Sequence, residues 1–200
     1  MGRKALAIEV DVANSQETQR MADIALRELG SVDILINCAG GPKLTHTLFH
    51  ESTEEDWDRL VNVNLKGTRN CTRSIINHMI ERRRGKIVNI SSLAGLLGNI
   101  GSVDYSAAKA GILGFTMALA KEVAGYGINV NCVSPGAIIT RGMQTLPERI
   151  KQNEKLTGMG RLGKPEEVAS LVAFLVSEEA SFITGQNYPI CGLKNLGVGF

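Results

Sequence analysis

Short apolar segments of strand character alternate with amphipathic helical segments along this 200-residue chain, and no other feature constrains the fold as strongly. The predicted strands are Ala5–Val10, Val32–Asn37, Lys86–Ile90, Ile128–Val133 and Asn187–Cys191. The predicted helices cover residues 14–29, 52–65, 103–125 and 147–156, and a last one begins at Pro165. Alternation of this kind indicates parallel strands joined by crossover helices. The sequence therefore predicts an α/β fold with a doubly wound parallel sheet, in a single domain over residues 1–200.

Charge, hydropathy and cysteine usage exclude several classes of protein. The formal net charge of +2 gives no general case for binding nucleic acid or a membrane. The sequence contains no run of about 18 apolar residues and no signal-peptide core, so we expect a cytoplasmic protein without a membrane span. Cys38, Cys71, Cys132 and Cys191 form no C-x-x-C pair, which predicts buried reduced thiols and no metal site.

Small and polar residues follow three of the predicted strands at the point where each strand ends. These segments are Asn37-Cys38-Ala39-Gly40, Ser91-Ser92 and Pro135-Gly136. The carboxyl ends of parallel strands meet at one edge of the sheet, and ligands of such folds bind beyond that edge. The three segments therefore predict a ligand-binding site there.

Ser92, Tyr105 and Lys109 predict a proton-transfer site. Tyr105 and Lys109 are four residues apart in a predicted helix, so they share one face. A lysine cation beside a phenol favours the phenolate, so we expect the pKa of Tyr105 to fall from about 10 toward neutrality. Such a phenol exchanges a proton with a carbonyl or alcohol oxygen, to which a serine can hydrogen-bond. Tyrosine and lysine at this spacing also occur by chance in many helices, so the other motifs must support this interpretation.

Together with further motifs, these residues resemble the short-chain dehydrogenase/reductase family in its classical branch. The motifs are Asn37–Gly40, Asn62–Leu65, Ser92, Tyr105-x-x-x-Lys109 and Pro135–Thr140. Gly160–Val168 and Ile183–Gln186 are typical of enzymes similar to 3-oxoacyl-carrier-protein reductases. The resemblance covers essentially the whole chain, although Cys38 replaces the second asparagine of the family's N-N-A-G turn. It implies a Rossmann-like fold.

The resemblance implies a catalytic role for four residues. Tyr105 would be the general acid or base on the substrate oxygen, and Ser92 would hold the substrate carbonyl. Lys109 would lower the pKa of Tyr105 and hydrogen-bond the nicotinamide ribose. Asn64 would anchor a water molecule that links Lys109 to bulk solvent. The implied substrate is a small carbonyl or alcohol compound, and a 3-oxoacyl thioester is a plausible class.

The resemblance also implies NAD or NADP as the cofactor and assigns residues that contact it. Asp11 and Val12 would contact the adenine. The residues implied along the ribose and the nicotinamide are Asn37, Ala39, Gly40, Tyr105, Lys109, Pro135, Gly136, Ile138 and Thr140. The cofactor would supply the hydride, while the protein supplies orientation and a proton.

One part of the family pattern is missing from this sequence. Family members begin with a strand and a glycine-rich T-G-x-x-x-G-x-G turn, which places backbone N–H groups against the pyrophosphate. We expect the fold to be N-terminally truncated, without its first two βα units, on the order of 50 residues. Weak or lost cofactor binding and an exposed edge at strand Val32–Asn37 would follow. Gly158–Gly163 spells G-x-G-x-x-G, but a predicted helix precedes it, so we interpret it as a loop.

Three hypotheses of function remain open at this point. The first is an NAD(P)-dependent oxidoreductase that interconverts a secondary alcohol and a ketone. The second is a catalytically inactive, truncated paralogue that acts as a structural or regulatory subunit. The third is a domain that binds a small ligand without turnover. By resemblance, we expect a homo-oligomer, a dimer or tetramer, with a hetero-oligomer as the alternative.

Overall fold

A four-stranded parallel sheet forms the centre of the computed structural model, which describes residues 3–42 and 47–194. The strands, in their order across the sheet, are β1 (Ile34–Asn37), β2 (Gly85–Ile90), β3 (Ile128–Pro135) and β4 (Asn187–Ile190). Every neighbouring pair is parallel. In the register, Asn37 lies beside Asn89 and Asn89 lies beside Cys132, so the carboxyl ends of β1, β2 and β3 reach the same edge. The predicted parallel α/β class is confirmed.

Helices connect the strands and cover both faces of the sheet. They are α1 (Ser15–Leu29), α2 (Glu54–Val61), α3 (Gly67–Arg82), α4 (Ala94–Leu97), α5 (Val103–Val123), α6 (Arg141–Gln144), α7 (Pro147–Lys155) and α8 (Pro165–Leu175). Single turns of 3₁₀ helix lie at Phe49–Glu51, Ala124–Tyr126 and Glu178–Ala180. None of the described helices has the length and apolar character needed to cross a membrane.

Local sequence signals explain where the longer helices begin and end. The side chain of Asn14 accepts hydrogen bonds from the first backbone N–H groups of α1, and Gly30 ends that helix with a φ of 85°. Thr53 caps α2 by accepting from Asp56 N at 3.2 Å, one residue after the predicted start at Ser52. Pro165 occupies the first turn of α8, where its missing N–H costs nothing.

The core consists of two apolar layers, one on each face of the sheet. On one face, α1, α3 and α5 pack against the sheet around Met79, Ile87 and Val130, which are almost fully buried. On the other face, α8 packs through Leu175 against Val88 and its neighbours. Helices on both faces make the sheet doubly wound, as predicted.

The segment Ala5–Val10 does not form the predicted strand. A strand needs a ladder partner, and no described strand pairs with it. The segment runs beside α1 instead, where the Lys4 ammonium donates to the carbonyl oxygen of Glu28 at 2.7 Å. Strand β1 is consequently an edge strand, as expected, with Ile34 and Ile36 46% and 38% exposed.

Candidate active site

A turn of π-helix between α2 and α3 carries Asn64. It spans Asn62–Lys66, so the helix predicted over residues 52–65 is not regular to its end and continues into α3. Asn64 is fully buried, and its amide nitrogen donates to the Leu60 carbonyl oxygen at 3.0 Å. The Asn64 side chain also accepts a hydrogen bond from Gly41 N at 3.0 Å and donates one to the Gly41 carbonyl oxygen at 3.2 Å. The side chain of Asn64 therefore fixes the turn that follows β1.

Gly40 in this turn requires the absence of a side chain. Its φ is 125°, which other residues rarely adopt, and an added Cβ would lie 2.4 Å from Oδ1 of Asn64. The π-helical turn and the turn after β1 are therefore built against each other. The buried π turn matches the known occurrence of such turns at functional sites.

The Ser91-Ser92 segment joins β2 to α4, which precedes α5. The Ser91 hydroxyl donates to the Lys109 carbonyl oxygen at 2.8 Å, and the Ser92 hydroxyl accepts from Ala94 N at 3.2 Å. An added Cβ on Gly95 would lie 2.7 Å from the backbone of Lys109, so α4 lies directly on α5. This packing directs the Tyr105 and Lys109 face of α5 toward the carboxyl end of β2.

Lys109 is a buried cation. It is 4% exposed, and its ammonium donates to the Ile90 carbonyl oxygen at 2.9 Å. Burial lowers the pKa of Lys109 to about 8, against a weaker opposite influence of Cys38 and Cys132. An ammonium has three N–H donors. One of them serves the bond to Ile90, which leaves donors for a ligand oxygen.

The predicted direction of the Tyr105 pKa shift is wrong. Burial raises the pKa of Tyr105, while a hydrogen bond with the Ser92 side chain has a smaller, lowering effect. The Lys109 ammonium lies 5.7 Å from the centre of the Tyr105 ring, and desolvation, not this cation, sets the direction of the pKa shift. Tyr105 is therefore a neutral phenol at pH 7, which makes it a proton donor.

A cleft of about 1440 Å³ opens at the carboxyl edge of the sheet. It brings together most of the residues predicted for the site, namely Gly40, Ser92, Tyr105, Lys109, Pro135, Gly136, Ile138 and Thr140. The turn after β3 is held in place by the bonds from Gly136 N to Ile190 O and from Ile139 N to Gly163 O, at 2.9 and 2.8 Å. The predicted convergence of three strand ends on one site is confirmed.

Other predicted site residues lie outside the lining of this cleft. Besides Asn64 they are Asp11, Val12, Asn37 and Ala39. Asp11 closes a local turn by accepting from Ala13 N at 2.9 Å. Val12 packs against α3, because an added Cβ on Gly67 would lie 2.6 Å from Cγ2 of Val12. Their contact with an adenine group stays a prediction.

The side chain of Asn37 points into the core rather than into the cleft. Its amide donates to Oγ1 of Thr72 at 2.9 Å and to Oδ1 of Asn89 at 2.8 Å, and Asn89 donates to Thr116 at 2.9 Å. Only the backbone of Asn37 is therefore available to a ligand. The motifs at the strand ends do not predict this buried network, although an asparagine inside the apolar strand β2 is a visible signal of it.

The four cysteines divide by burial, contrary to the expectation that all are buried. Cys71 and Cys132 are buried, Cys191 is intermediate, and Cys38 is exposed where it lines the cleft. Burial raises the pKa of the Cys132 thiol to about 11. Within residues 3–42 and 47–194, no group of acidic, histidine and cysteine side chains could hold a metal ion.

The cleft fits one end of a nicotinamide cofactor. Lys109 offers donors to ribose hydroxyls, and the backbone turn from Gly136 to Thr140 forms an adjacent wall. The described residues contain no glycine-rich turn between a strand and a helix that could hold a pyrophosphate. Gly158–Gly163 follows α7, as predicted, and not a strand. The fit therefore covers the nicotinamide and its ribose only.

Comparisons with known proteins agree with this geometry. A family model described as enoyl-(acyl carrier protein) reductase matches residues 1–192. A 3-oxoacyl-[acyl-carrier-protein] reductase of Thermotoga maritima is 41% identical over 184 residues, which are 92% of this chain and 74% of the relative. An acetoacetyl-CoA reductase of Cupriavidus necator is 41% identical over 198 residues, 98% of this chain and 80% of the relative.

A third relative carries a different substrate name. The (2S)-[(R)-hydroxy(phenyl)methyl]succinyl-CoA dehydrogenase subunit BbsD of Thauera aromatica is 40% identical over 201 residues, which cover 99% of this chain and 79% of the relative. The parallel sheet, the Ser92, Tyr105 and Lys109 cleft and these matches lead to one assignment. The chain belongs to the short-chain dehydrogenase/reductase family, whose members are NAD(P)-dependent oxidoreductases.

Proposed function

We propose that the chain reduces the ketone of a 3-oxoacyl thioester to a secondary alcohol, with Tyr105 as the proton donor. The observation that carries this proposal is the neutral Tyr105 phenol, hydrogen-bonded to Ser92 in the same cleft as the Lys109 cation. The names of the relatives from Thermotoga maritima and Cupriavidus necator support the substrate class.

In this mechanism, the hydroxyl groups of Ser92 and Tyr105, which line the same cleft, would both hydrogen-bond to the carbonyl oxygen of the substrate. Bound NADH or NADPH supplies the hydride that reduces the carbonyl carbon. Tyr105 donates its proton to the oxygen as negative charge develops there. The Lys109 cation then stabilises the phenolate that remains, because opposite charges attract strongly in a buried site. Parallel assays with NADH and NADPH identify which of the two cofactors the chain uses.

A structural or regulatory subunit is the second candidate function, and the composition of the surface favours it. Trp57 on α2 and Val103 and Met117 on α5 are 39%, 46% and 50% exposed. Large apolar side chains on neighbouring helices are typical of a protein–protein interface. An inactive chain would retain this surface and form an oligomer with active partners.

A reduction assay separates the two functions. Acetoacetyl-CoA and crotonyl-CoA are offered separately with NADPH and with NADH, and the cofactor's absorbance is followed. We expect oxidation of one cofactor with acetoacetyl-CoA and none with crotonyl-CoA, since Tyr105 and Ser92 are arranged for a carbonyl oxygen. Turnover of crotonyl-CoA alone would contradict ketone reduction. Absence of turnover with both, at millimolar cofactor, would favour the subunit.

The reduction rate should depend on the charge of Lys109. Its pKa is lowered to about 8, so the cation is present below that pH and is lost above it. We expect kcat/KM for ketone reduction to be constant below about pH 8 and to fall roughly tenfold per pH unit above it. The measurement is a pH profile, with each sample returned to neutral pH to exclude denaturation. A profile that stays flat up to pH 10 would show that the Lys109 charge is not needed.

A further inference from the structure

Among the described residues, every charged side chain that lines the cleft is basic. Besides Lys109 they are Arg149 on α7 and Lys194 after β4. Among the described residues that line the cleft, there is no aspartate or glutamate. A cleft with low-dielectric walls and charges of one sign concentrates ligands of the opposite sign. The walls therefore favour a ligand that carries negative charge.

Lys194 is held in position by the protein. Its ammonium donates to Oδ1 of Asn153, which lines the same cleft from α7. The turn that carries it contacts the segment after α7 through the bond from Met159 N to Gly192 O at 3.2 Å. An added Cβ on Gly158 would lie 3.1 Å from the Leu193 side chain. Little side-chain entropy is then lost when Lys194 binds a ligand.

Arg149 and Lys194 are close enough to repel each other. Burial is the main reason why the pKa of Lys194 is lowered, and the Arg149 cation lowers it further. One face of α7 lines the cleft through Arg149, Gln152 and Asn153, and Leu156 continues this face directly after the helix. An anion that contacts both cations would form charge-assisted hydrogen bonds with them.

We propose that Arg149 and Lys194 form an anion subsite that binds a carboxylate or phosphate group of the thioester substrate. This inference rests on the proposed function and narrows its substrate class. Two sources share the chemistry, a carboxylate on the acyl chain and a phosphate of the coenzyme A or carrier arm. The amides of Gln152 and Asn153 add donors on the same wall.

Calorimetry with unreactive ligands tests the subsite without requiring turnover. The ligands are the N-acetylcysteamine thioesters of hexanoic and adipic acid and coenzyme A. We expect the adipoyl thioester or coenzyme A to bind at least about tenfold more tightly than the neutral hexanoyl thioester, as one charge-assisted hydrogen bond provides. Preference for the adipoyl thioester identifies a carboxylate, and preference for coenzyme A identifies a phosphate. Equal affinity for all three ligands would overturn the proposal.

Substitutions of Arg149 and Lys194 show which residues cause the preference for an anionic ligand. Lys194→Gln should reduce the preference for the anion about tenfold. Arg149→Gln should do the same, and the thermal unfolding midpoint of each variant shows whether it is folded. Lys155→Gln is the matched control, because Lys155 ends the same helix and does not line the cleft. The proposal would be contradicted if Lys194→Gln left the preference for the anion unchanged. It would also be contradicted if the substitution weakened only the binding of NADPH.

This design separates failure of the subsite from failure of the proposed function. The neutral substrate acetoacetyl-N-acetylcysteamine carries neither a carboxylate nor a phosphate. Reduction of this compound without any anion preference in calorimetry would keep the reductase and reject the subsite. Anion binding that depends on Lys194, in a chain that reduces no ketone, would keep the subsite and reject the reductase.

Discussion

Tyr105→Phe is expected to lower kcat for ketone reduction by about 10²- to 10⁴-fold, the usual contribution of a general acid. The phenol is neutral at pH 7 because burial raises its pKa, so its proton is available to the carbonyl oxygen. Phenylalanine fills nearly the same volume and removes only the hydroxyl. Cofactor affinity should therefore remain nearly intact, since Lys109 keeps its bond to Ile90. Steady-state kinetics with acetoacetyl-CoA and cofactor titration measure both effects.

Tyr126→Phe provides the matched control for this change. Tyr126 is 40% exposed, contacts Arg83 with 5.7 Å between the guanidinium and the ring centre, and does not line the cleft. Its loss of a hydroxyl should leave kcat unchanged. If Tyr105→Phe retained more than a tenth of the wild-type kcat, another group would have to supply the proton. A parallel loss in Ser92→Ala would show that the two hydroxyls act on the same oxygen.

The strands that the sequence predicts well are those that have ladder partners among the described residues. Strands β2 and β3 are mostly buried, and their isoleucine and valine residues set their limits to within one or two residues. Ala5–Val10 has an equally apolar pattern, but it has no ladder partner among the described residues. Pairing is a property of the whole sheet, so local composition could not decide it.

The convergence of the site was predictable, whereas the states of its groups were not. Strand ends in a parallel sheet share an edge, and this brings Ser92 and Gly136 into one cleft, to which the packing of α4 on α5 adds Tyr105. The pKa of Tyr105 depends on how deeply the folded chain buries its phenol, and the spacing of a motif does not predict that burial. The inward direction of Asn37 follows from the alternation of side chains along β1. Its sequence motif carries no information about that direction.

The π turn at Asn62–Lys66 was also beyond sequence reasoning. The apolar stripe from Trp57 to Leu65 fits a regular helix, and one widened turn changes the spacing by a single residue. That turn allows Asn64 to bond Leu60 and Gly41 together. The exact fit between Gly40 and Asn64 depends on two segments that are distant in sequence, so only the folded structure reveals it.

Lys109→Met is expected to stabilise the protein at pH 7 by about 2 kcal/mol while it abolishes reduction. Burial lowers the pKa of Lys109 from 10.5 to about 8, so keeping the buried cation charged costs about 3 kcal/mol at neutral pH. Methionine has a similar length and needs no hydration. The lost bond to the Ile90 carbonyl oxygen offsets about 1 kcal/mol of the gain. Urea unfolding at pH 7 measures the free energy of unfolding of both proteins.

The pH dependence of this difference identifies its cause. Between about pH 8 and 10.5, unfolded wild-type chains bind the Lys109 proton more strongly than folded ones, so wild-type stability rises with pH through this range. The advantage of Lys109→Met should therefore shrink from pH 8 upward, vanish near about pH 9.5 and give way, by about pH 10.5, to a wild type that is more stable by about 1 kcal/mol. Lys121→Met is the control, because Lys121 lies exposed on the same helix and should show no such trend. A stability difference that is independent of pH would mean that the methionine acts through packing, and that burial of the Lys109 charge is not the destabilising factor.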